Sequence, residues 1–293
     1  MPAPPLLRLV AALVTGVLTV VAATASPSEA RSGAGPQAGD RTVRVMSFNI
    51  HHGQGIDGAL SLERIAATIE ASGADVVGLQ EVDRHWSERS DFVDQAAALA
   101  ERLRMHVVYG ANLDLEPLEP GQPRRQYGTA ILSDHPIQAW RNVALPRTGA
   151  NEQRGLLEAR INVRGVRVLV YNTHLQHNSQ AERLAQVDAI RSTIGTPTES
   201  VLLVGDLNAR PDAPEIAAIT ESLLDAWVEA GVGDGLTYPA QGPYSRIDYV
   251  LTSEDVVTRT AAVITTNASD HLPVVADVAL PGSKVGSSTA GRR

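Results

Sequence analysis

The chain has 293 residues, a formal net charge of −8 at neutral pH and no cysteine. The absence of cysteine excludes disulfides, thiolate metal sites and a cysteine nucleophile, so stability must come from a large hydrophobic core. The acidic balance disfavours tight binding to long duplex nucleic acid, because affinity for polyanions comes mainly from lysine and arginine. The neighbouring residues Arg124 and Arg125 are a local basic pair that could steer one phosphate group.

The N-terminal segment has the pattern of a secretory signal peptide. Arg8 precedes an uncharged run over residues 9–25 that ends in the small residues Ala23, Thr24 and Ala25, as signal-peptidase sites do. We therefore expect a signal peptide over residues 1–25, with an alternative end at residue 30, a flexible linker over residues 26–40 and a secreted mature protein. An uncleaved membrane anchor is the alternative, because the apolar run approaches bilayer-spanning length.

The first half of the chain alternates short apolar runs with helical patterns, without repeats. The pattern predicts a strand over 43–49, a helix over 62–72 with Ser61 as its N-cap, and a buried strand over 75–80. A helix over 92–103 with an alanine-rich face and a strand over 107–109 follow. Residues 112–126 are predicted to form a long proline-rich loop.

The second half predicts strands over 127–132, 156–163 and 166–173, of which the last two form a hairpin at Arg164 and Gly165. A helix over 181–194, an apolar strand over 201–205 and a helix near 215–224 come next. Strands over 247–251, 256–264 and 273–278 complete a single catalytic domain over residues 41–281. Residues 282–293 are expected to be a disordered tail.

The mixture of hairpins and helical crossovers, with strands that are apolar on both faces, predicts the fold class. We expect an α/β (α+β) fold, a four-layer αββα sandwich in which two packed mixed β-sheets are flanked by helices. A doubly wound nucleotide-binding sheet is the alternative. The chain lacks the glycine-rich turn that such a sheet carries after its first strand.

Polar residues that can do chemistry follow nearly every predicted strand. These are Asn49, Gln80 with Glu81, His174, Asp206 with Asn208, Asp248, and Asp270 with His271. In extended backbone the side chains of Asp206 and Asn208 would point to the same side. Carboxylate and amide oxygens suit a hard cation such as Mg²⁺, whereas His51 and His52 would suit zinc better. Taken alone, Asp206 and Asn208 also fit an ordinary Asx turn after a strand.

Short motifs carry a resemblance that runs in order from Met46 to Pro273. They are Ser47-Phe48-Asn49-Ile50, Leu79-Gln80-Glu81-Val82-Asp83, Tyr127-Gly128-Thr129-Ala130-Ile131-Leu132-Ser133, Thr173-His174-Leu175, Gly205-Asp206-Leu207-Asn208, Ser245-Arg246-Ile247-Asp248-Tyr249 and Ser269-Asp270-His271-Leu272-Pro273. In this order they resemble the endonuclease/exonuclease/phosphatase superfamily, which includes the pancreatic-type deoxyribonuclease. The resemblance implies a metal-dependent phosphoester hydrolase.

The resemblance also implies a metal site and a substrate site. Glu81, with help from Asn49, would hold Mg²⁺, for which Mn²⁺ could substitute, and Asp270 is a candidate ligand of a second metal. Tyr127 and Arg154 are candidate substrate-binding residues.

Catalytic roles carried over from the family fall on five further residues. Asn208 would orient the scissile phosphate beside Asp206, and His174 would donate a hydrogen bond or a proton to it. His271 would activate the attacking water, with Asp248 as the partner that orients its ring. Whether Asp206 or His271 is the general base stays open.

We expect a phosphodiesterase whose substrate is a phosphoester of a lipid head group, a sugar or a nucleic acid. The stretch 48–53 together with 80–84 is similar to a bacterial subgroup related to glycolipid-anchor remodelling proteins, which favours lipid or sugar phosphodiesters. The alternatives are an extracellular nuclease and a non-catalytic binding module on the same fold. A monomer without an obligate protein partner is expected.

Overall fold

The computed structural model describes residues 41–281, so the predicted signal peptide, linker and C-terminal tail lie outside the described residues. Two six-stranded sheets are formed within this range. The first sheet contains β1 (Arg41–Asn49), β2 (Val76–Arg84), β3 (His106–Leu115), β4 (Arg125–Ser133), β11 (Val257–Val263) and β12 (Val274–Leu280). The second contains β5 (Ile137–Ala144), β6 (Gly155–Val163), β7 (Val166–His174), β8 (Ser200–Asp206), β9 (Leu224–Asp225) and β10 (Asp248–Thr252).

The two sheets are built in the same way. The strand orders are β11-β12-β1-β2-β4-β3 and β5-β6-β7-β8-β10-β9. Each sheet has one central parallel pair, β1 with β2 and β7 with β8, and its other described pairings are antiparallel. A helical crossover joins the two strands of each parallel pair, as parallel neighbours require. The carboxyl ends of four central strands are thereby placed at one end of the sandwich.

Five α-helices accompany the sheets in the described part of the chain: α1 (Leu62–Ser72), α2 (Gln95–Leu103), α3 (Gln180–Ile194), α4 (Pro214–Ile219) and α5 (Ala226–Ala230). Side chains at the N-caps define four helix starts, because Ser61, Asp94, Ser179 and Asp225 each accept a backbone N–H of the first turn. Such caps satisfy donors that the helix itself leaves unpaired. The predicted N-cap at Ser61 is confirmed.

Three hydrophobic clusters separate the layers. A valine-rich cluster that includes Val43, Val170 and Val204 lies between the sheets. A second cluster packs α1 and α2 on the outer face of the first sheet, and a third packs α3 and α4 on the outer face of the second. The predicted four-layer αββα sandwich is confirmed, since each sheet buries both of its faces.

A buried polar contact joins the two sheets. Asn172 donates to the carbonyls of Leu79 and Ala130, both at 2.8 Å, and its Oδ1 accepts a hydrogen bond of 2.7 Å from Gln80 Nε2. Gly78 lies beside this contact, where a Cβ atom would come within 2.2 Å of Val204 Cγ2. Only glycine fits at this distance between the sheets, and the Asn172 amide ties the two sheets at that point.

Several predicted boundaries are wrong. The helix predicted over 92–103 begins at Gln95, because Phe92 has a left-handed φ of 54° and Asp94 is the cap. The predicted loop 112–126 is shorter, since β3 extends to Leu115 and β4 begins at Arg125. The predicted strand 75–80 continues to Arg84.

Later in the chain, the helix predicted near 215–224 ends at Ile219, and Leu224 and Asp225 pair with β10 instead. Strand β5 and helix α5 were not predicted. The exposed edge strand β5 has a mainly exposed or half-exposed burial pattern, so its sequence lacks the apolar alternation of the buried strands. Within residues 41–281 no helix is both long enough and apolar enough to cross a membrane.

Candidate active site

The polar residues predicted at the strand ends continue the rows of side chains that fill the space between the sheets. Val204 belongs to the inter-sheet cluster, and Asp206 follows it two residues later at the end of β8. In register, Asp206 is paired with His174 of β7 on one side and with Asp248 of β10 on the other. Because side chains alternate along a strand, these three polar groups lie in one row on the inner face.

Glu81 is brought to the same site by an irregularity in β2 and not by the regular alternation of side chains. Between Leu79 and Val82 the register with β4 shifts, so that Gln80 and Glu81 together face a single residue of β4. Glu81 has a φ of 57°, in the left-handed region that side chains other than glycine rarely adopt. A β-bulge of this kind changes the direction of a side chain, and here it brings the carboxylate to the site.

Asn49, at the end of β1, links the two carboxylates. Its Nδ2 donates to Glu81 Oε1 and to Asp206 Oδ2, each at 3.1 Å. Its Oδ1 accepts the backbone N–H of His51 at 3.1 Å. The side-chain NH₂ group of Asn49 therefore donates to both carboxylates, and its hydrogen bond to Glu81 positions the Glu81 side chain. Its participation in metal binding stays a prediction.

His271 and Asp248 form a buried hydrogen-bonded pair. The distance between His271 Nδ1 and Asp248 Oδ2 is 3.0 Å, and His271 Nε2 lies 3.7 Å from Asp206 Oδ2. The hydroxyl of Ser269 holds the loop in place, because it donates to the Asn49 carbonyl and accepts the His271 backbone N–H. Asp248 comes from the second sheet and His271 from the loop before β12 of the first, so the pair spans both sheets.

Burial and charge act in opposite directions on these groups. Burial lowers the pKa of His271, but the carboxylates of Asp248 and Asp206 outweigh it and raise that pKa to about 10. Burial, with a further contribution from Asp248, raises the pKa of Asp206 to about 7. His174 Nε2 lies 3.5 Å from Asp206 Oδ2, and burial followed by the positive charge of Arg154 holds the pKa of His174 well below its usual range. The arrangement favours an imidazolium at His271 and a neutral ring at His174.

Asp206 and Asn208 are not related as two residues of an extended strand. The strand ends at Asp206, and Asn208 has a φ of 49°. Asp206 Oδ1 accepts the backbone N–H of Asn208 at 2.9 Å, which is the hydrogen bond of an Asx turn. The expectation of extended backbone is therefore wrong, although both side chains still reach the cavity.

A cavity of about 360 Å³ brings the predicted residues together. It is lined by Glu81, Tyr127, Glu152, Arg154, His174, His177, Asp206, Asn208, Tyr238, Ile247, Asp270 and His271. Asn49 and Asp248 are fully buried or nearly so and contact lining residues from behind. All ten residues predicted for the site thus lie in the cavity or directly against it.

Three polar lining residues were not predicted as site residues: Glu152, His177 and Tyr238. Glu152 Oε1 lies 3.0 Å from Arg154 Nη1, and burial raises the pKa of Glu152. Its position two residues before Arg154 was a usable signal. Tyr238 packs its ring against His271 with centroids 4.7 Å apart, but it lies in a loop without a periodic pattern.

The donor set fits a divalent cation. The carboxylates of Glu81, Glu152, Asp206 and Asp270 face one cavity, and oxygen ligands of this type suit Mg²⁺ or Mn²⁺. His51 Nδ1 lies 3.6 Å from Asp270 Oδ1, and ligand atoms of His51, His52 and Glu81 lie within 4.8 Å of one another. His51 and His52 lie next to these carboxylates but are not among the residues that line the cavity, so the acidic ligands on the cavity wall are mainly oxygens.

Two packed mixed sheets with carboxylates and imidazoles at their strand ends are the architecture of one class of phosphoesterases. The family model described as "Endonuclease/Exonuclease/phosphatase family" matches residues 46–271, and the chain belongs to this family, whose members are hydrolases that act on phosphoesters. The resemblance inferred from the ordered motifs is confirmed.

Three relatives illustrate the comparison. The chain is 27% identical to the uncharacterized protein YbhP of Escherichia coli (strain K12), over 82% of this chain and 97% of YbhP. It is 28% identical to a 5′-tyrosyl-DNA phosphodiesterase of Caenorhabditis briggsae, over 64% of this chain and 50% of that protein. The crystal structure of an endonuclease/exonuclease/phosphatase from Beutenbergia cavernae DSM 12333 superimposes with a TM-score of 0.70 at 29% identity, and covers 83% of this chain and 72% of that one.

Proposed function

We propose that this protein is a Mg²⁺-dependent hydrolase that cleaves the P–O bond of a phosphodiester by attack of water. The observation that carries the proposal is the His271–Asp248 pair, whose free Nε2 lies beside Asp206 in a cavity lined by carboxylates. Family membership supports the general reaction. The finer assignment to Mg²⁺ rests on the oxygen donor set. The assignment to a diester rests on the similarity of residues 48–53 and 80–84 to a bacterial subgroup related to glycolipid-anchor remodelling proteins.

Proton transfer is assigned to two groups. Asp248 accepts the Nδ1–H of His271 and so fixes the ring with Nε2 toward the cavity. The raised pKa of His271 favours the imidazolium, which can donate a hydrogen bond or a proton from Nε2. Asp206, whose pKa is raised toward neutrality, is then the preferred acceptor of the proton of the attacking water. This assignment selects Asp206 between the two bases that the motifs left open.

Binding of the phosphate is assigned to the remaining polar groups of the cavity. Asn208 and His174 lie next to Asp206, and Arg154, immediately before β6, and Tyr127 of β4 line the same cavity. Arg154 is only 3% exposed, and its buried Nε has no hydrogen-bond partner among the described residues. An unpaired buried donor is costly, so an anion that accepts from it would be stabilised.

Glu81 and Asp270 would hold the cation, with Asn49 supporting Glu81. When bound, Mg²⁺ stabilises negative charge on the phosphate oxygens. Retention of Glu81, Asp206, Asp248 and His271 in one cavity argues against a non-catalytic binding module. An extracellular nuclease is the second candidate, favoured by the relative named as a tyrosyl-DNA phosphodiesterase.

The test is hydrolysis of bis-p-nitrophenyl phosphate by the purified protein, with p-nitrophenyl phosphate as the matched monoester. We expect turnover of the diester with Mg²⁺ or Mn²⁺, complete loss with EDTA, recovery on adding Mg²⁺ and little turnover with Zn²⁺, because the ligands are mainly oxygens. Full activity in metal-free buffer would refute the metal dependence. Turnover of the monoester alone would refute the assignment to diesters.

We further propose that the protein is exported and cleaved after Ala25 or after Ala30, on the basis of the signal-like segment. The intact mass of protein from the culture medium should correspond to a chain that starts at Ser26 or Arg31. Recovery of the full-length chain in the membrane fraction alone would contradict cleavage and indicate an anchor.

A further inference from the structure

A second cavity lies beside the site. It has a volume of about 250 Å³ and is lined by His85, Phe92, Gln122, Pro123 and Arg125. Arg125 and Tyr127 are two residues apart on β4, so their side chains project from the same face about 7 Å from each other. Tyr127 lines the first cavity and Arg125 the second. This distance between the two side chains is comparable to the distance that the sugar sets between the phosphate and the base of a nucleotide.

Aromatic and guanidinium groups connect the two cavities. The Trp86 ring lies 5.8 Å from the Tyr127 ring, and Arg125 Cζ lies 6.0 Å from the Trp86 centroid. Arg89 Cζ lies 5.4 Å from Trp86 and 5.5 Å from Tyr127, and two hydrogen bonds to the buried Asp83 carboxylate fix its guanidinium. Planar cations stacked with aromatic rings form a wall that is already ordered before a ligand binds.

Phe92 lines the second cavity and is partly exposed to solvent. Phe92 is 38% exposed and belongs to none of the described core clusters. Phe92 and the preceding Asp91 both have left-handed φ angles, and the Phe92 carbonyl lies 2.8 Å from His85 Nδ1. The loop therefore leaves a large apolar ring partly exposed, in a backbone conformation that phenylalanine rarely adopts.

The two neighbouring arginines differ in charge pairing. Arg124 is paired with Asp114 and Glu116. Arg125 donates its Nε to the Glu116 carbonyl, and within residues 41–281 it has no carboxylate partner. Arg125 thus leaves positive charge available at the second cavity, whereas Arg124 does not line it.

We propose that the second cavity is a subsite for the organic arm of the ester, and that it binds a planar aromatic ring, a nucleobase or a phenyl group, against Phe92 and Arg125. The inference rests on the proposed function, because the phosphate must occupy the first cavity. Stacking on an aromatic side chain beside an arginine is the interaction that this surface offers. The net charge of −8 disfavours tight binding of a long duplex and so favours a short ester as the ligand.

The test is isothermal titration calorimetry with Mg²⁺ on the full chain carrying His271→Ala, which prevents turnover. The ligands are thymidine 5′-phosphate and phenyl phosphate, which carry a ring, 2-deoxyribose 5-phosphate and glycerol phosphate, which do not, and inorganic phosphate. We expect the ligands with a ring to bind about tenfold tighter or more than those without. In the variants Phe92→Ala and Arg125→Gln, the ratio of the affinity for ligands with a ring to the affinity for ligands without one should fall to about one. The matched control Arg124→Gln should keep the ratio of the parent.

The ratio of affinities cancels any loss that a variant causes for all ligands. Tighter binding of thymidine 5′-phosphate would identify a nucleobase as the ring, and tighter binding of phenyl phosphate would identify a phenol. A ratio near one, or the tightest binding by glycerol phosphate, would overturn the subsite while phosphate binding remained. Absence of binding by inorganic phosphate and by every ester would overturn the proposed function together with the subsite.

Discussion

The two sides of the active-site cavity differ in their access to water. On one side, Asp206 and Asp248 are each 1% exposed and His271 is 6% exposed. On the other side, the side chains of Asp270 and His51 are 37% and 31% exposed. We call these the buried side and the open side. Dehydration shifts the pKa values of the groups proposed to transfer protons, whereas Mg²⁺ keeps several of its waters and needs an open site.

The buried side also explains why its charges are tolerated. Unpaired buried carboxylates would be strongly destabilising, but Asp248 is paired with His271, and Asp206 accepts hydrogen bonds from Asn49 and Asn208. Glu81 on the open side is half-buried and shares the Asn49 donor. We therefore expect substitutions on the buried side to change kcat and substitutions on the open side to change the concentration of metal that activity requires.

The largest effect is expected on the buried side. Asp248→Asn and His271→Ala should each lower kcat by roughly 10²- to 10⁴-fold. The double variant should lose little more than the worse single variant, because two residues that act as one unit are not additive. Steady-state kinetics on the phosphodiester substrate measures this, with the exposed Asp212→Asn as the control. Additive losses would show that Asp248 and His271 act separately.

The pH profile of the Asp248→Asn variant separates a proton-transfer role from a structural one. Asp248 raises the pKa of His271, so replacement of Asp248 should lower that pKa. The His271 ring should then lose its proton at a lower pH than in the parent protein. If the imidazolium is the active form, the alkaline limb of kcat should move to lower pH than in the parent. An alkaline limb that does not move would mean that the protonation of His271 does not control kcat.

A smaller and different effect is expected on the open side. Glu81→Gln should raise the Mg²⁺ concentration for half-maximal activity by roughly 10- to 100-fold, because an anionic ligand is replaced by a neutral one. Raised Mg²⁺ should restore part of the activity. The control is Glu88→Gln, in the exposed turn after β2. A fall in kcat that Mg²⁺ does not rescue would place Glu81 with the buried side.

Asn49 tests the boundary between the two sides. Asn49→Ala removes the donor shared by Glu81 and Asp206, so both kcat and the apparent Mg²⁺ affinity should fall, each by about tenfold. Kinetics at several Mg²⁺ concentrations separates the two effects. A change in only one of them would show that the shared hydrogen bonds do not couple the two sides.

The sequence predicted most of the residues that the cavity brings together. Strand ends are encoded locally, since an apolar run followed by Asn49, His174 or Asp206 places a polar group at the edge of the core. The ordered motifs predicted the family, and the mixture of hairpins and helical crossovers predicted the four layers. Both predictions are confirmed. Edge strand β5 was not predicted because its residues are exposed or half-buried and its apolar residues do not alternate regularly.

Tertiary structure decided the contacts that depend on distant segments. The bulge that turns Glu81 inward depends on the register with β4, and the His271–Asp248 pair depends on the packing of one sheet on the other. The subsite around Arg125 likewise requires the loop after β2 to meet the start of β4. By itself, the sequence determined which residues stand at the strand ends, because side-chain alternation and capping are local. Which of those residues touch each other was decided only by strand register and sheet packing, which join segments far apart in the chain.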